Sequence, residues 1–501
     1  MNGDGSGAGS DDGDGSGEEA AGSGGEAVDA SPPLWTDLTP VIDAVRTAEA
    51  VGFVAVGDRF DDALRYLTRF SGPDRAYGLV VCPGEGAVPP RATLLAPGLF
   101  AEQAEREFVA AARRDDLAGS ASGADAFHDG VVRTVRVDRV GDPVGLRAVA
   151  VLDRATGRDG GGAASDDADA DDADADDADA DDTDADDADA DTGIEGDASD
   201  ELGSVLVPAS IPHDTAVYLE RAGYELASTT AVAEARAVKS PAEIDRIRRV
   251  QRAAAAGMAR AESVLATSDP VEAGSVASDD GSTGDDTRPL LWRDEPLTTE
   301  RLRRAVNATL AAYGVRDAGN TVIGSGPTAA DLHYVGTDSI DAGETVLIDI
   351  SPRGPDGYYG DLTRTFVVDG DGGWDRRAYV AVEAAREAAL AELGPGVTAA
   401  SVHREAAAEL AAYGFDPDAN EGESGFTHGT GHGVGVSLHE SPSLSSDVEL
   451  RPGHVVTVEP GVYDPAVGGV RLEDLVVVTD DGYERLASYP FGTVPTERDR
   501  S

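Results

Sequence analysis

The stretch Thr427–Glu440, THGTGHGVGVSLHE, gathers His428, His432 and His439 within twelve residues of a 501-residue chain that has eight histidines. Such imidazoles serve proton transfer or metal ligation. Carboxylates in unusual places accompany them. Asp349 lies inside the apolar run Val346–Ile350, and Asp361, in GDLTRTF, is expected to open the next strand twelve residues on. Glu459 ends the run Val455–Val458 directly before Pro460-Gly461, and Glu473 sits in Val470-Arg471-Leu472-Glu473. A buried carboxylate is costly unless something positive compensates it. Any one of these, taken alone, reads as a hydrogen-bonded core acid or a solvated strand face. Four on neighbouring strands would repel strongly unless protons or cations intervened. Two divalent ions would neutralise the set. Oxygen-rich ligation with one imidazole suits manganese, iron or cobalt better than a structural zinc site. Carboxylates bridging two ions roughly 3.5–4 Å apart would hold a hydroxide for hydrolysis, leaving the other histidines to stabilise an oxyanion or carry protons.

These residues need strands to position them. TVLIDI, LTRTFVV, VVTVEPGVY and GVRLEDLVVV read as strands, so Asp349 and Asp361 can meet across a Gly- and Pro-containing turn. His428 and His432 have the H-x-x-x-H spacing of a zinc-protease helix, but Gly-Thr-Gly between them argues against a helix. An extended backbone would put 428, 430 and 432 on one face, with glycine allowing close approach of other backbone or a substrate. The run G-T-G-H-G-V-G lacks the helix that a dinucleotide loop needs.

The C-terminal region, 235–501, is expected to be α+β. It opens with KSPAEIDRIRRVQRAAAAGMARAESVLA, where Ser240 is an N-cap, Pro241 the first helical residue and Glu243 the capping-box partner. Two further helices, RRAYVAVEAAREAALAEL and AASVHREAAAELAAYGF, each end near a glycine. Residues 33–234 alternate β-branched runs with helical patterns and read as a small α/β domain. An acidic insert at about 154–203 interrupts it, and DDADA recurs through Asp166–Asp191. That tract lacks the spacing of an EF-hand and reads as a solvated insert. Residues 1–32 read as an acidic, unfolded tail, and about 267–287 as an enlarged surface loop.

The formal net charge of −55 excludes attraction to nucleic acid or an anionic membrane surface. Lys239 is the only lysine. This composition fits a halophilic protein in molar salt, where the Debye length is about 3 Å. Cys82 is the single cysteine, which points to a reducing, cytoplasmic setting. The N-terminus has no apolar signal region, and no run suggests a membrane span.

VLID, GDLTRTF, HGTGHGVG, LHE, TVEPGVY and VRLEDLVVV, in that order, resemble the pita-bread metallopeptidases of family M24. YLTRF (Tyr66–Phe70) and AVKSPAEIDRIRR resemble its Xaa-Pro aminopeptidase and prolidase branch, of a haloarchaeal type, which carries a creatinase-like N-terminal domain. The resemblance implies five metal ligands, Asp349, Asp361, His432, Glu459 and Glu473. Asp361 and Glu473 would bridge two divalent ions, manganese first, with cobalt, iron or zinc as alternatives. Asp349 would chelate one ion, and His432 with Glu459 would hold the other. Glu459 would also take the proton of the attacking water. His333 would line the substrate pocket, His428 and His439 would contact the scissile carbonyl and the P1′ side, and Arg471 would orient carboxylates. The implied activity is removal of an N-terminal residue preceding proline, with an Xaa-Pro dipeptidase as the alternative and a non-catalytic binding protein on the same fold as a distant third. Family habit implies a homodimer. His128, His213, His403 and His454 match no motif and read as structural or surface. The chain departs from the family pattern where Ser351-Pro352 follows Asp349 and where the two aspartates are one residue further apart.

Overall fold

The computed structural model describes residues 33–114, 123–138, 141–158, 202–271 and 288–498. The acidic tail 1–32, the tract Asp166–Asp191 and most of the expected loop at 267–287 lie outside the described residues.

The N-terminal region is built on a six-stranded sheet in the order β4-β3-β2-β1-β5-β6. The strands are β1 (Gly52–Gly57), β2 (Tyr77–Cys82), β3 (Arg91–Pro97), β4 (Val132–Asp138), β5 (Ser204–Val207) and β6 (Glu225–Ser228). β5 pairs with β1 in parallel, so the sheet is continuous across the acidic insert. Helices α1 (Thr39–Thr47), α2 (Asp62–Thr68), α3 (Ala101–Ala104), α4 (Val144–Ala155), α5 (His213–Arg221) and α6 (Ala231–Ala237) accompany it. α4 packs Val144, Ala148 and Leu152 on one face of the sheet. On the other face Phe53, Leu79 and Leu94 share a core with Ile247, Val434, Val455 and Leu475. The two regions are therefore packed through a common apolar interior. The boundary expected at 234/235 falls inside α6, and the helical run breaks at Val238–Ser240 instead.

The C-terminal region begins with α7 (Pro241–Ala266), 26 residues long. Ser240 and Glu243 form the reciprocal capping box expected from the sequence. A small three-stranded sheet follows, β7 (Asp269–Pro270), β8 (Leu290–Trp292) and β9 (Glu295–Pro296), and then α8 (Thr299–Ala312). α7 and α8 cover the antiparallel sheet of β10 (Thr321–Ser325), β11 (Thr345–Ile350) and β12 (Leu362–Val367). α9 (Trp374–Glu392) and α10 (Ala399–Ala412) cover a second group of strands. These are β13 (Val455–Val458), β14 (Gly461–Asp464), β15 (Gly468–Arg471), β16 (Asp474–Thr479) and β17 (Gly482–Arg485). The unusual polar residues lie at or just beyond strand ends: Asp349 near the end of β11, Asp361 before β12, Glu459 after β13 and Glu473 before β16.

Two local expectations need correction. GVRLEDLVVV is two strands, β15 and β16, with Leu472 and Glu473 in the break between them. The stretch 427–432 is irregular and forms no strand. His432 and Thr430 lend their carbonyls to the amides of Thr457 and Glu459, at 2.9 and 2.8 Å. Gly431 is required by this close approach, because a Cβ there would lie 2.0 Å from the Thr457 carbonyl oxygen.

Candidate metal centre

Asp349 is on β11 opposite Thr363 of β12, and Asp361 immediately precedes β12. The twelve-residue connection is well anchored. Gln251 of α7 donates to the Asp361 carbonyl at 2.6 Å and accepts from its amide at 2.7 Å, and the Gly360 amide donates to the Pro352 carbonyl at 3.0 Å. Glu473 reaches in from the β15–β16 break. One oxygen from each of Asp349, Asp361 and Glu473 lies within 4.8 Å of the others. His432 Nε2 stands 3.7 Å from Asp361 Oδ2 and 3.3 Å from Glu459 Oε1. All five sequence-predicted ligands thus converge.

Neighbouring groups hold at least one oxygen of each carboxylate, and both oxygens of Asp349. Arg471 Nη2 donates to Asp349 Oδ2 at 2.6 Å. Thr363 donates to Glu473 Oε2 at 2.8 Å, and Thr457 to Glu459 Oε1 at 3.0 Å. The Ser351 hydroxyl lies 2.9 Å from Asp361 Oδ1 and 3.2 Å from Asp349 Oδ1. Glu473 Oε1 is buried with no hydrogen-bond partner among the described residues. An orphaned buried carboxylate oxygen beside two further carboxylates is a cation ligand in waiting.

The charges demand such a ligand. Ionised together at 4.8 Å, each pair would repel by about 3 kcal/mol at an effective dielectric of about 20. Three pairs would consume most of a typical folding stability of about 5–15 kcal/mol. Without a cation, burial and the Asp349 charge lift Asp361 well above the usual carboxylate range. Burial and the charges of Asp361 and Glu459 do the same to Glu473. Burial also raises Asp349, against the Arg471 guanidinium. Burial disfavours charge on both Glu459 and His432, yet their mutual hydrogen bond and attraction prevail. They bring Glu459 to about 2 and His432 to about 9. Four oxygen donors and one imidazole, crowded and short of positive charge, fit a divalent ion.

The accessory histidines face the same cleft of about 480 Å³, together with Asn320, Val322, Leu332 and Leu438. The exposed His439 stacks obliquely beside His432, ring centres 4.2 Å apart, and His333 lines the rim. His428 is more constrained. Its Nδ1 faces the Gly429 carbonyl at 2.8 Å and so carries the proton, and its Nε2 accepts from the Tyr463 hydroxyl at 2.8 Å. Burial holds its conjugate acid near 4, so the ring is neutral. His428 can donate to an oxyanion only after exchanging the Tyr463 bond and gaining a proton. Arg471 Nη1 donates to the same Tyr463 oxygen at 3.0 Å.

The four unassigned histidines lie elsewhere in the fold. His128 stacks on Trp35, His213 opens α5, and His454 is buried. His403 of α10 hydrogen-bonds Thr430 at 2.8 Å, behind the histidine stretch. Sequence reasoning missed Ser351 as a contact, along with Thr363, Thr457 and Tyr463. Threonine and serine are common on strands and turns, and nothing in their spacing marks them. Tyr463 alone carried a signal, as the last residue of the motif TVEPGVY. A larger, more open groove of about 740 Å³ beside Trp292 has arginines and acids on its walls but no histidine.

Residues 245–480 match the profile of metallopeptidase family M24. The Xaa-Pro dipeptidase of Pyrococcus horikoshii is 38% identical over 174 residues, 34% of this chain and 47% of that protein. The chain spans about half the length of the curated relatives it matches. The prolidase structure from Pyrococcus furiosus superposes with a TM-score of 0.62 at 19% identity, covering 90% of this chain and 100% of the other. The X-Pro aminopeptidase structure from Thermotoga maritima gives 0.59 at 17%, covering 91% and 98%. The fold is thus the pita-bread fold of these enzymes. Among the described residues, no helix is long and apolar enough to cross a membrane.

Proposed function

We propose that this chain is a metal-dependent exopeptidase that hydrolyses the bond between an N-terminal residue and a following proline. The observation that carries the reading is the convergence of three carboxylates within 4.8 Å beside His432 and Glu459. Two divalent ions, manganese in the first place, would be held by Asp349, Asp361, His432, Glu459 and Glu473, and would supply Lewis acidity and an activated water. Glu459 takes the proton of the attacking water, its carboxylate steadied by Thr457 and by Arg471 Nε at 3.8 Å. Arg471 also holds Asp349 in the orientation that ligation needs. His439 and His333 contact the substrate from the open side of the cleft. His428 meets the scissile carbonyl by exchanging its bond to Tyr463.

The same reading assigns residues 33–234 as a creatinase-like accessory domain and 235–501 as the catalytic domain, in a homodimer. The net charge of −55 supports a halophilic enzyme of a salt-rich cytoplasm. Relatives named for dipeptidase and for aminopeptidase activity support both substrate lengths. We place aminopeptidase first and Xaa-Pro dipeptidase as the alternative. The test is hydrolysis of Gly-Pro and Gly-Pro-Pro in molar salt with manganese, with and without chelator. Chelator-sensitive cleavage of the tripeptide supports the aminopeptidase, and cleavage of the dipeptide alone moves the chain to prolidase. Turnover of neither would refute the proline specificity.

A further inference from the structure

Thr363 and Thr457 each hydrogen-bond one candidate ligand side chain, whereas Ser351 is shared by two. Its hydroxyl oxygen lies between Asp361 Oδ1, at 2.9 Å, and Asp349 Oδ1, at 3.2 Å. Among the described residues it is the only hydroxyl that bridges two candidate ligand side chains. Ser351 is 4% exposed, so water does not compete for the contact. The backbone that carries it is fixed on both sides. Ile350 ends β11 in register with β10 and β12, and Gly360 bonds back to Pro352 across the turn. The oxygens of the two aspartates on the far side are committed elsewhere, Asp349 Oδ2 to Arg471 and Asp361 Oδ2 toward His432. With its single proton the hydroxyl donates to one aspartate at a time, and it spans the gap between two like-charged groups that would otherwise rotate apart.

We propose that Ser351 is a positioning residue of the metal centre: its hydroxyl sets the spacing of Asp349 and Asp361 before a cation arrives and so tightens divalent-ion binding. This rests on the metal reading given above. Hydrogen-bond partners of ligating side chains typically carry about 10–100-fold of metal affinity. A single neutral hydroxyl belongs at the lower end.

The test is calorimetric titration of Mn2+ into the metal-free protein in molar salt. It compares the wild type with Ser351→Ala and Ser351→Gly, neither of which has the hydroxyl. Ser443→Ala, from the same cleft but without a bond to any candidate ligand, is the control, and thermal melting of the metal-free forms checks folding. The expected result is about tenfold weaker binding in both Ser351 variants, with the control and the stoichiometry unchanged. Wild-type affinity in either folded Ser351 variant would overturn the inference while leaving the metal reading intact. A flat trace for the wild type itself would overturn both.

Discussion

Replacing Lys239 by Met tests whether the segment before α7 holds the loop that ends in His439. Lys239 Nζ lies 2.5 Å from Glu440 Oε1, with side-chain exposures of 1% and 7%. Arg236 Nη2 holds the other Glu440 oxygen at 2.7 Å and also contacts the Ser437 hydroxyl. The Glu440 backbone exchanges two hydrogen bonds with Gly433, at 2.9 and 3.0 Å, so the clasp closes the loop that presents His439. Removing one partner of a buried pair costs about 3–5 kcal/mol. Because Arg236 remains, we expect about 2–3 kcal/mol from Lys239→Met. Lys239→Met combined with Glu440→Gln leaves the Arg236 guanidinium with a neutral partner and should cost at least as much as the single variant. Denaturant unfolding in molar salt measures both, and peptide turnover should fall in both. A single variant as stable as the wild type, or a double variant restored toward it, would refute the reasoning.

Three other outcomes follow from the site and its surroundings. Glu459→Gln should lower peptide turnover by about 10²–10⁴-fold, the scale of a lost proton acceptor, in a protein that still folds; near-normal turnover would contradict its assignment. Divalent-ion affinity should rise with pH up to about 9 and binding should release protons, because burial raises Asp361 and Glu473 and His432 stands near 9. Calorimetry in buffers of different ionisation enthalpy counts the protons, and a pH-independent affinity would oppose that electrostatic picture. His454 is held near 4 by burial and by the neighbouring Lys239 and Arg451 charges. Between its ordinary 6.5 and 4 the unfolded chain takes up a proton that the folded one refuses. Stability from this group is therefore present above about pH 6.5 and lost on acidification, by up to about 3 kcal/mol. His454→Asn, which keeps an acceptor for the Arg451 amide, should flatten that slope, and an unchanged slope would exclude His454 as its source.

Residues whose chemistry conflicts with their surroundings were the most legible part of the chain. Asp349 in an apolar run announced a strand end with a polar task, and Ser240-Pro241 with Glu243 announced the start of α7. The Gly-rich histidine stretch was legible as a place of close approach but not as a non-strand. Its backbone is dictated by Thr457 and Glu459 of a segment 25 or more residues away. Glu473 was expected within a strand, because the apolar alternation on both sides runs on through the break. Ser351, Thr363 and Thr457 were invisible as carboxylate partners, since their hydroxyls acquire meaning only when β11, β12 and β13 bring them beside Asp361, Glu473 and Glu459. The same holds for Lys239, which the sequence marks as solitary without indicating Glu440 as its partner.

The most direct measurement is anomalous diffraction at the manganese edge from crystals of the protein grown with manganese in molar salt. The account predicts two peaks about 3.5–4 Å apart, within ligating distance of Asp349, Asp361, His432, Glu459 and Glu473. A well-ordered centre with no anomalous peak, its carboxylates still paired only with Ser351, Thr363, Thr457 and Arg471, would contradict it.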